Sequence, residues 1–396
     1  MAVLETDRLA APGTSFLNDP RIRGLIYQVI VAAIVIGFFG WIISNTAANL
    51  AAQNKTTGFD FLGKTSGFDI SFSLIPFDRT SYYWQAFLVG LTNTLLVAVI
   101  GIVFATIIGF TVGIARLSSN YIISRLATIY VETIRNIPLL LQLFFWYFAV
   151  LKTMPAVRES FALPFDIFIN QRGLFVPKPL PNDQTVWVWV ALAVGVILSI
   201  GVGRWARRRL EATGQRFPVA LSSIGIVVGL AALTWLVSGA SVAFDPPVLN
   251  RFNFAGGLEL PPEFVALAFG LSIYTAAFIA ETVRAGIQAV NKGQTEAAQS
   301  LGLKEGDRLR LVIIPQAMRV IVPPLTSQYL NLTKNSSLGA AIGYPELVNV
   351  FTGTALNQTG RAIECIALTM LVYLIFSLAT SAAMNWYNAR VALVER

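Results

Sequence analysis

GQTEAAQSLGLKEGDRLRLVIIP, residues 293–315, is a polar, glycine-punctuated stretch between two long apolar runs of this chain. Thr295 is predicted to cap a short helix that ends at Leu301, with Gly302 closing it in a left-handed conformation. One small apolar face of this helix is predicted to consist of Ala297, Ala298 and Leu301. Such a helix suits a groove on a partner protein or the headgroup surface of a membrane, and the pattern alone does not choose between them.

The composition indicates a membrane protein. The 396 residues are 55% hydrophobic and 13% charged, whereas a soluble domain carries about 25% charged residues. The absence of histidine and the single cysteine, Cys365, exclude a disulfide framework and any metal site built on histidine or on several cysteines, so no metal is predicted. The net charge of +8 is explained by membrane topology rather than by nucleic acid.

Eight apolar runs predict about eight transmembrane helices and therefore an all-α, polytopic fold. A helix needs about 20 residues to cross the hydrocarbon core of a bilayer. The runs lie at about 25–44, 87–114, 127–152, 186–203, 219–238, 263–284, 314–338 and 364–386.

The distribution of lysine and arginine predicts the orientation. With the N-terminus in the cytoplasm, 19 of the 29 basic residues fall on the inside, as the positive-inside rule requires. RWARRR at 204–209 is the strongest marker. Residues 1–24 and 391–396 are then cytoplasmic, and residues 25–85 hold the first span and a long periplasmic loop. The polar stretch at 293–315 is then predicted to face the cytoplasm.

GFDFLGKT at 58–65 matches the phosphate-loop pattern letter by letter. That motif binds phosphate between a buried strand and a helix. Here it lies in a loop between two predicted spans, on the side where ATP is absent. We therefore interpret it as a chance match, and the chain itself is not predicted to be an enzyme.

Polar residues inside the predicted spans are candidates for a transport pathway, because burying them in lipid is costly. A stripe in the seventh span, at helical spacing, includes Gln328, Asn331, Lys334 and Asn335. Lys334 suits a substrate carboxylate. Thr92 and Asn93 are polar residues within the second span and are candidates for the pathway on the same ground. The alternative is hydrogen bonding between helices, with Lys334 extending to the outer surface.

Two carboxylate–arginine pairs recur at predicted cytoplasmic span ends. Glu132 precedes Arg135 by three residues, and Glu281 precedes Arg284 by three. Each pair suits either a local ion pair or a gate that breaks and re-forms. Pro138 is predicted to bend the third span, and Pro323-Pro324 to break or kink the seventh.

Several segments resemble the permease subunits of ATP-binding-cassette (ABC) importers for polar amino acids. Glu296, Ala297, Ala298, Gly302 and Pro315 fall in register with the family's EAA loop, E-A-A-x3-G-x9-I-x-L-P. Further similar segments are LTNTL (91–95), YVETIRNIPLL (130–140), AETVRAGI (280–287), KGQ (292–294), PQAMR (315–319) and KNSSL (334–338). The resemblance covers 86–152 and 258–390, which it identifies as the permease core.

The additions to this core are similar to those of the larger permeases of general L-amino-acid importers in Gram-negative bacteria. They are the extra first span and an inserted segment, 153–257, that carries two spans. The resemblance implies a type I importer architecture. It also implies that the inserted segment is peripheral.

The resemblance further implies an assembly in which this chain binds no cofactor. A dimer of ATPase subunits, carrying ATP and Mg²⁺, docks on the EAA loop. A second permease subunit, a relative or a copy, completes the pathway, and a periplasmic amino-acid-binding protein delivers substrate. The alternative function is an ion-gradient-driven secondary amino-acid transporter, which requires carboxylates within the membrane.

Overall fold

The computed structural model describes residues 20–52, 58–215 and 217–391. Arg8, Arg216, Arg396 and most of the predicted N-terminal segment and C-terminal tail lie outside the described residues. The long helices are α1 Pro20–Ala52, α2 Tyr83–Ala115, α3 Tyr121–Asn136, α4 Leu139–Leu151, α5 Thr185–Thr213, α6 Val219–Ser238, α7 Pro262–Gln288, α10 Ile314–Asn335 and α12 Ala362–Val391. The short helices are α8 Lys292–Ser300 and α9 Glu305–Arg308, between α7 and α10, and α11 Leu356–Thr359, before α12. Among the described residues seven helices are long and apolar enough to span a membrane, or eight if α3 and α4 count as one span. The prediction of about eight spans is confirmed.

The third predicted span, 127–152, is not one straight helix. The chain turns by 106° between α3 and α4, and Ile137 is extended, with φ −101° and ψ 128°. The ring of Pro138 disfavours the helical conformation of the residue before it. The predicted bend at Pro138 is therefore confirmed, whereas the single continuous span is wrong.

Helices α2 and α7 form the centre of the bundle, where small residues allow the two backbones to approach closely. Gly101, Ala105, Gly109 and Gly113 recur every four residues on one face of α2, and all four are buried. A β-carbon at Gly109 would lie 2.6 Å from the side chain of Ile279. Such stripes are typical of helix packing in membranes.

Of the break or kink predicted at Pro323-Pro324, the break is wrong, because α10 runs through both prolines. Proline lacks a backbone N–H, yet transmembrane helices tolerate it where neighbouring helices hold the segment. Here the adjacent Ile321, Val322 and Leu325 are buried in the core. The irregular turn of this span lies earlier, in the π-helical turn Leu309–Ile313.

The inserted segment and the three residues that follow it carry short strands that the sequence did not indicate. One four-stranded antiparallel sheet has the order β1-β2-β3-β8, and two-stranded sheets pair β4 with β5 and β6 with β7. The strands are β1 Phe161–Leu163, β2 Ile167–Asn170, β3 Gly173–Val176, β4 Lys178–Pro181, β5 Val242–Asp245, β6 Val248–Leu249, β7 Phe254–Ala255 and β8 Leu258–Leu260. Strands of two to four residues are too short to show a clear alternation of polar and apolar residues.

The α5–α6 hairpin packs mainly on itself. Gly195 on α5 lies against Val227 on α6, where an added β-carbon would be 3.0 Å from the Val227 Cα. The apolar windows of α1 and α6 are not buried by the rest of the described chain. These helices therefore surround the bundle rather than form its core.

Candidate functional site

The predicted docking helix is present, and it begins earlier than the sequence indicated. This helix, α8, spans Lys292–Ser300, and its N-cap is Asn291, whose side chain accepts a 2.8 Å hydrogen bond from the Gly293 N–H. The prediction that Thr295 caps the helix is wrong. Asparagine is as good an N-cap as threonine, and it lies one residue before the first turn.

The C-terminal end of α8 confirms the predicted left-handed cap. Gly302 has φ +72°, its N–H donates to the Gln299 carbonyl at 2.9 Å, and the Leu303 N–H donates to the Ala298 carbonyl at 3.2 Å. This pair of hydrogen bonds satisfies carbonyls that a helix end otherwise leaves free. Gly306 lies further along the chain, in the short helix α9, Glu305–Arg308.

The two sides of α8 have different environments. Ala298 is 3% exposed, and α8 packs against the turn Leu309–Ile313 before α10. The Leu301 side chain is 80% exposed, and Glu296 and Ala297 are exposed as well. The single apolar face predicted for Ala297, Ala298 and Leu301 is therefore wrong, because Ala298 is already covered by this chain.

A polar contact also fixes α8 to the next span. The Gln316 amide donates to Gln294 Oε1 at 3.1 Å. Pro315 lies next to the first residue of α10, so the end of the EAA segment coincides with the start of the helix. Helix α8 is therefore linked to α10 both by this hydrogen bond and by the short stretch of chain between them.

The charged residues at the ends of α2, α3 and α7 form one network centred on Glu281. Glu281 accepts from Arg284 at 2.5 Å and from Arg116, and Arg135 lies 3.8 Å from it. Glu132 is 3.4 Å from Arg116. The predicted local pair of Glu281 with Arg284 is confirmed, but the pair of Glu132 with Arg135 is wrong.

Arg116 is the functional candidate that the sequence analysis missed in this network. It follows the last residue of α2, and its side chain is 9% exposed. Its position directly after a long apolar run is a sequence signal for a span end, but the signal does not identify its partners. Those partners lie on α3 and α7.

Asn93 does not line a passage in this structure. Its side chain is fully buried, and its amide donates to the carbonyls of Phe72 and Pro345, both at 2.9 Å. Thr92 is half-buried and donates only to carbonyls of its own helix. Asn93 therefore holds the loop before α2 and the segment after α10 against α2.

The polar stripe of α10 is only partly covered by the rest of the described chain. Asn331 and Lys334 are exposed, and Gln328 and Asn335 are half-buried. Within the described part of the chain none of these four side chains forms a hydrogen bond or an ion pair. Their polar groups are available to a ligand or to another subunit.

Glu346 is a second group that the sequence analysis missed. It is fully buried, accepts from the Val348 and Asn349 N–H groups at 2.8 and 2.7 Å, and accepts from the Tyr373 hydroxyl at 3.0 Å. It thus caps the π-helical segment Val348–Ala355 and ties it to α12. The sequence signal was an acidic residue between two apolar runs.

The residues that match the phosphate-loop pattern tie the loop before α2 to the start of α12. The Gly58 N–H donates to Glu364 at 2.5 Å, and Arg361 donates to Asp60 at 2.9 Å. The hydrogen bond from Lys64, assisted by the charge of Arg361, lowers the pKa of Asp60 below its usual value. The matching residues form a loop and a 3-10 turn, Asp60–Gly63, rather than a strand and a helix, so the phosphate-binding geometry is absent.

Comparison with known proteins defines the class. The family described as "binding-protein-dependent transport system inner membrane component" matches residues 191–393. The chain belongs to this family and is a membrane-spanning permease subunit of an ABC importer. Membership of this family rules out the alternative function, an ion-gradient-driven secondary transporter.

Three relatives that match nearly the whole chain are named as permease proteins of amino-acid transport systems. The chain is 51% identical to the general L-amino acid transport system permease protein AapQ of Rhizobium johnstonii, over 99% of both chains. It is 49% identical to the putative amino-acid ABC transporter permease protein YhdX of Escherichia coli K12, over 98% of this chain and 99% of the relative. It is 41% identical to the glutamate/glutamine/aspartate/asparagine transport system permease protein BztB of Rhodobacter capsulatus, over 96% of both.

Proposed function

We propose that this chain forms part of the pathway by which L-amino acids cross the inner membrane from periplasm to cytoplasm. The names of its full-length relatives support this substrate class. The exposed helix α8 between α7 and α10 carries the proposal, because it gives an external energy source a place to act. A periplasmic amino-acid-binding protein delivers the substrate.

Energy enters through α8, on which separate ATPase subunits dock. The Leu301 side chain is 80% exposed beside the exposed Glu296 and Ala297, whereas Ala298 is 3% exposed and faces this chain. A partner that covers Leu301 can therefore move α8 without separating it from α10. Transport then requires that the partner bind the inward and outward states with unequal affinity. ATP and Mg²⁺ belong to the partner.

The network centred on Glu281 is the element that passes this movement on. It joins the ends of α2, α3 and α7, and α7 ends four residues before α8 begins. A displacement of α8 thus reaches three helices through one carboxylate. In this proposal the contacts of Glu281 re-form in a different arrangement during the cycle.

The polar stripe of α10 lines the pathway against a second permease subunit, either a relative or a copy. Its exposed members, Asn331 and Lys334, have no partner among the described residues, which supports an intersubunit position. Lys334 is available to the substrate carboxylate. The N- and C-termini lie in the cytoplasm, as the distribution of basic residues indicates.

The deciding experiment replaces Leu301 by Asp in the assembled transporter. Burying a leucine contributes about 1.5–3 kcal/mol, so its loss lowers ATPase affinity by at least about tenfold. The matched control is Leu74→Asp, which changes a 51% exposed leucine of the outer loop. ATPase retention on the immobilised permease and ATP-driven uptake in vesicles are measured.

We expect Leu301→Asp to lose both retention and uptake while remaining in the membrane, and Leu74→Asp to keep both. Normal ATPase retention by Leu301→Asp would refute docking on α8. Uptake by the chain alone, without any ATPase, would refute the ATP-driven function itself.

A further inference from the structure

The C-terminal end of α5 carries four arginines within six residues, and they divide between two faces of the helix. Arg209 and Trp205 face the connection to α6. The Arg209 guanidinium lies 5.3 Å from the Trp205 ring centroid and donates to Gln215 at 2.8 Å. The Trp205 ring packs edge-on against Phe217 at 5.2 Å. This face is occupied by the chain's own residues.

The other face presents Arg204, Arg207 and Arg208, all of them exposed. The spacing of three and four residues places them together on the helix surface. Glu211 pairs with Arg207 at 3.2 Å. Within the described residues Arg204 and Arg208 have no acceptor, so two uncompensated positive charges lie side by side.

The position of these arginines matches the depth of lipid phosphates. About 19 residues without charge, 185–203, precede Arg204 in α5. At 1.5 Å per residue they extend over about 28 Å, close to the thickness of the hydrocarbon core. Arg204 and Arg208 therefore lie at the boundary between acyl chains and headgroups.

An apolar groove ends one helical turn before Arg204. Between α5 and α6 it has a volume of about 430 Å³ and is lined by residues that include Val196, Ile200, Ile224 and Val227. Val196, Ile200 and Arg204 follow one another at intervals of four residues, which places them in successive turns along α5. A ligand with an acyl chain and an anionic head fits both parts.

We propose that this groove and the arginine pair form a binding site for an anionic phospholipid. One acyl chain lies between α5 and α6, and the phosphoryl oxygens accept hydrogen bonds from Arg204 and Arg208. Guanidinium forks suit phosphate geometry. Because the hairpin packs mainly on itself, the bound lipid fixes it in the bilayer beside the bundle.

The test titrates the full-length chain, purified in neutral detergent, with phosphatidylglycerol and with phosphatidylcholine, and counts bound lipids by native mass spectrometry. We expect the wild-type chain to prefer phosphatidylglycerol. An arginine near an anionic lipid surface contributes about fivefold in affinity, so Arg204→Gln/Arg208→Gln loses roughly thirtyfold. The matched control, Arg172→Gln/Arg251→Gln, removes two exposed arginines from the strand-bearing segment and keeps the preference.

Two further measurements test whether the site binds a lipid rather than a soluble anion. Val196→Phe fills the groove and leaves the arginines in place, so it is expected to weaken lipid binding; equal affinity would overturn the acyl-chain part of the proposal. Displacement of the lipid by inorganic phosphate at equal concentration would overturn the lipid assignment. Equal binding of the two lipids by the wild-type chain would overturn the site as a whole.

Discussion

Replacing Glu281 by Gln tests whether one carboxylate holds the ends of three helices together. Glu281 contacts Arg116, Arg135 and Arg284, from α2, α3 and α7. The amide removes the negative charge while preserving the size of the side chain. Three guanidinium groups are then left with one carboxylate, Glu132, which is 55% exposed and touches only Arg116, at 3.4 Å.

The size of the effect follows from burial. Exposed ion pairs contribute about 0–1 kcal/mol, whereas removing one partner of a buried pair costs about 3–5 kcal/mol. The side chains of Arg116 and Glu281 are 9% and 26% exposed, which places this network between the two cases. We expect Glu281→Gln to lower the free energy of unfolding by about 2–3 kcal/mol.

The assay is unfolding of the purified chain in mixed micelles by dodecyl sulfate, followed by circular dichroism. Glu305→Gln is the matched control, because Glu305 pairs with Arg308 three residues on at 3.1 Å but is 80% exposed. Its expected cost is below about 1 kcal/mol. Adding Arg116→Gln and the double variant gives the coupling energy, expected at about 1–2 kcal/mol.

Equal unfolding free energies for Glu281→Gln and Glu305→Gln would refute this reasoning. The Glu281 contacts would then be solvated surface pairs. A zero coupling energy between Arg116 and Glu281 would lead to the same conclusion for the contact between α2 and α7. Neither result would bear on whether α8 binds an ATPase, which is tested separately by Leu301→Asp.

Two further predictions concern the bundle and the pathway. Gly109→Ala forces a β-carbon to 2.6 Å from Ile279 and is expected to lower the free energy of unfolding by about 1–3 kcal/mol; Gly225→Ala in α6, where nothing lies within 4 Å, is the control, and an equal effect of the two changes would contradict the close approach of α2 and α7. Lys334→Gln is expected to reduce uptake of amino acids by at least about tenfold, the equivalent of one charge-assisted hydrogen bond. Lys64→Gln in the loop before α2 is its control, and equal uptake by the two variants would exclude Lys334 from the pathway.

The spans and the cap of α8 were predictable because they depend on local chemistry. Crossing a bilayer requires a contiguous apolar segment of fixed length, so the helix Val219–Ser238 was predicted to the residue. Gly302 adopts its left-handed conformation because it has no Cβ. Pro138 bends the chain through its own ring. None of these properties depends on which other segments lie nearby.

Predictions failed where the local sequence allowed more than one structure and contacts with other segments selected between them. Asn291 and Thr295 are both acceptable N-caps, and packing of α8 against the turn before α10 accompanies the earlier start. Pro323-Pro324 predicted a break, but buried neighbours in α10 keep the helix continuous. The short strands of the inserted segment depend on pairing between residues far apart in sequence, such as Leu174 with Leu260.

By itself the sequence determined a polytopic membrane protein with a polar helix exposed between two spans, and its motifs determined the family. Only the tertiary structure decided which charges meet. Glu132 pairs with Arg116 rather than with Arg135, because a salt bridge depends on the distance between helices and not on spacing along one of them. The same reason explains why Asn93 is a buried tie between segments and why Ala298 faces inward. Leu301, three residues further on, is 80% exposed, which is why we propose it as a contact for the ATPase.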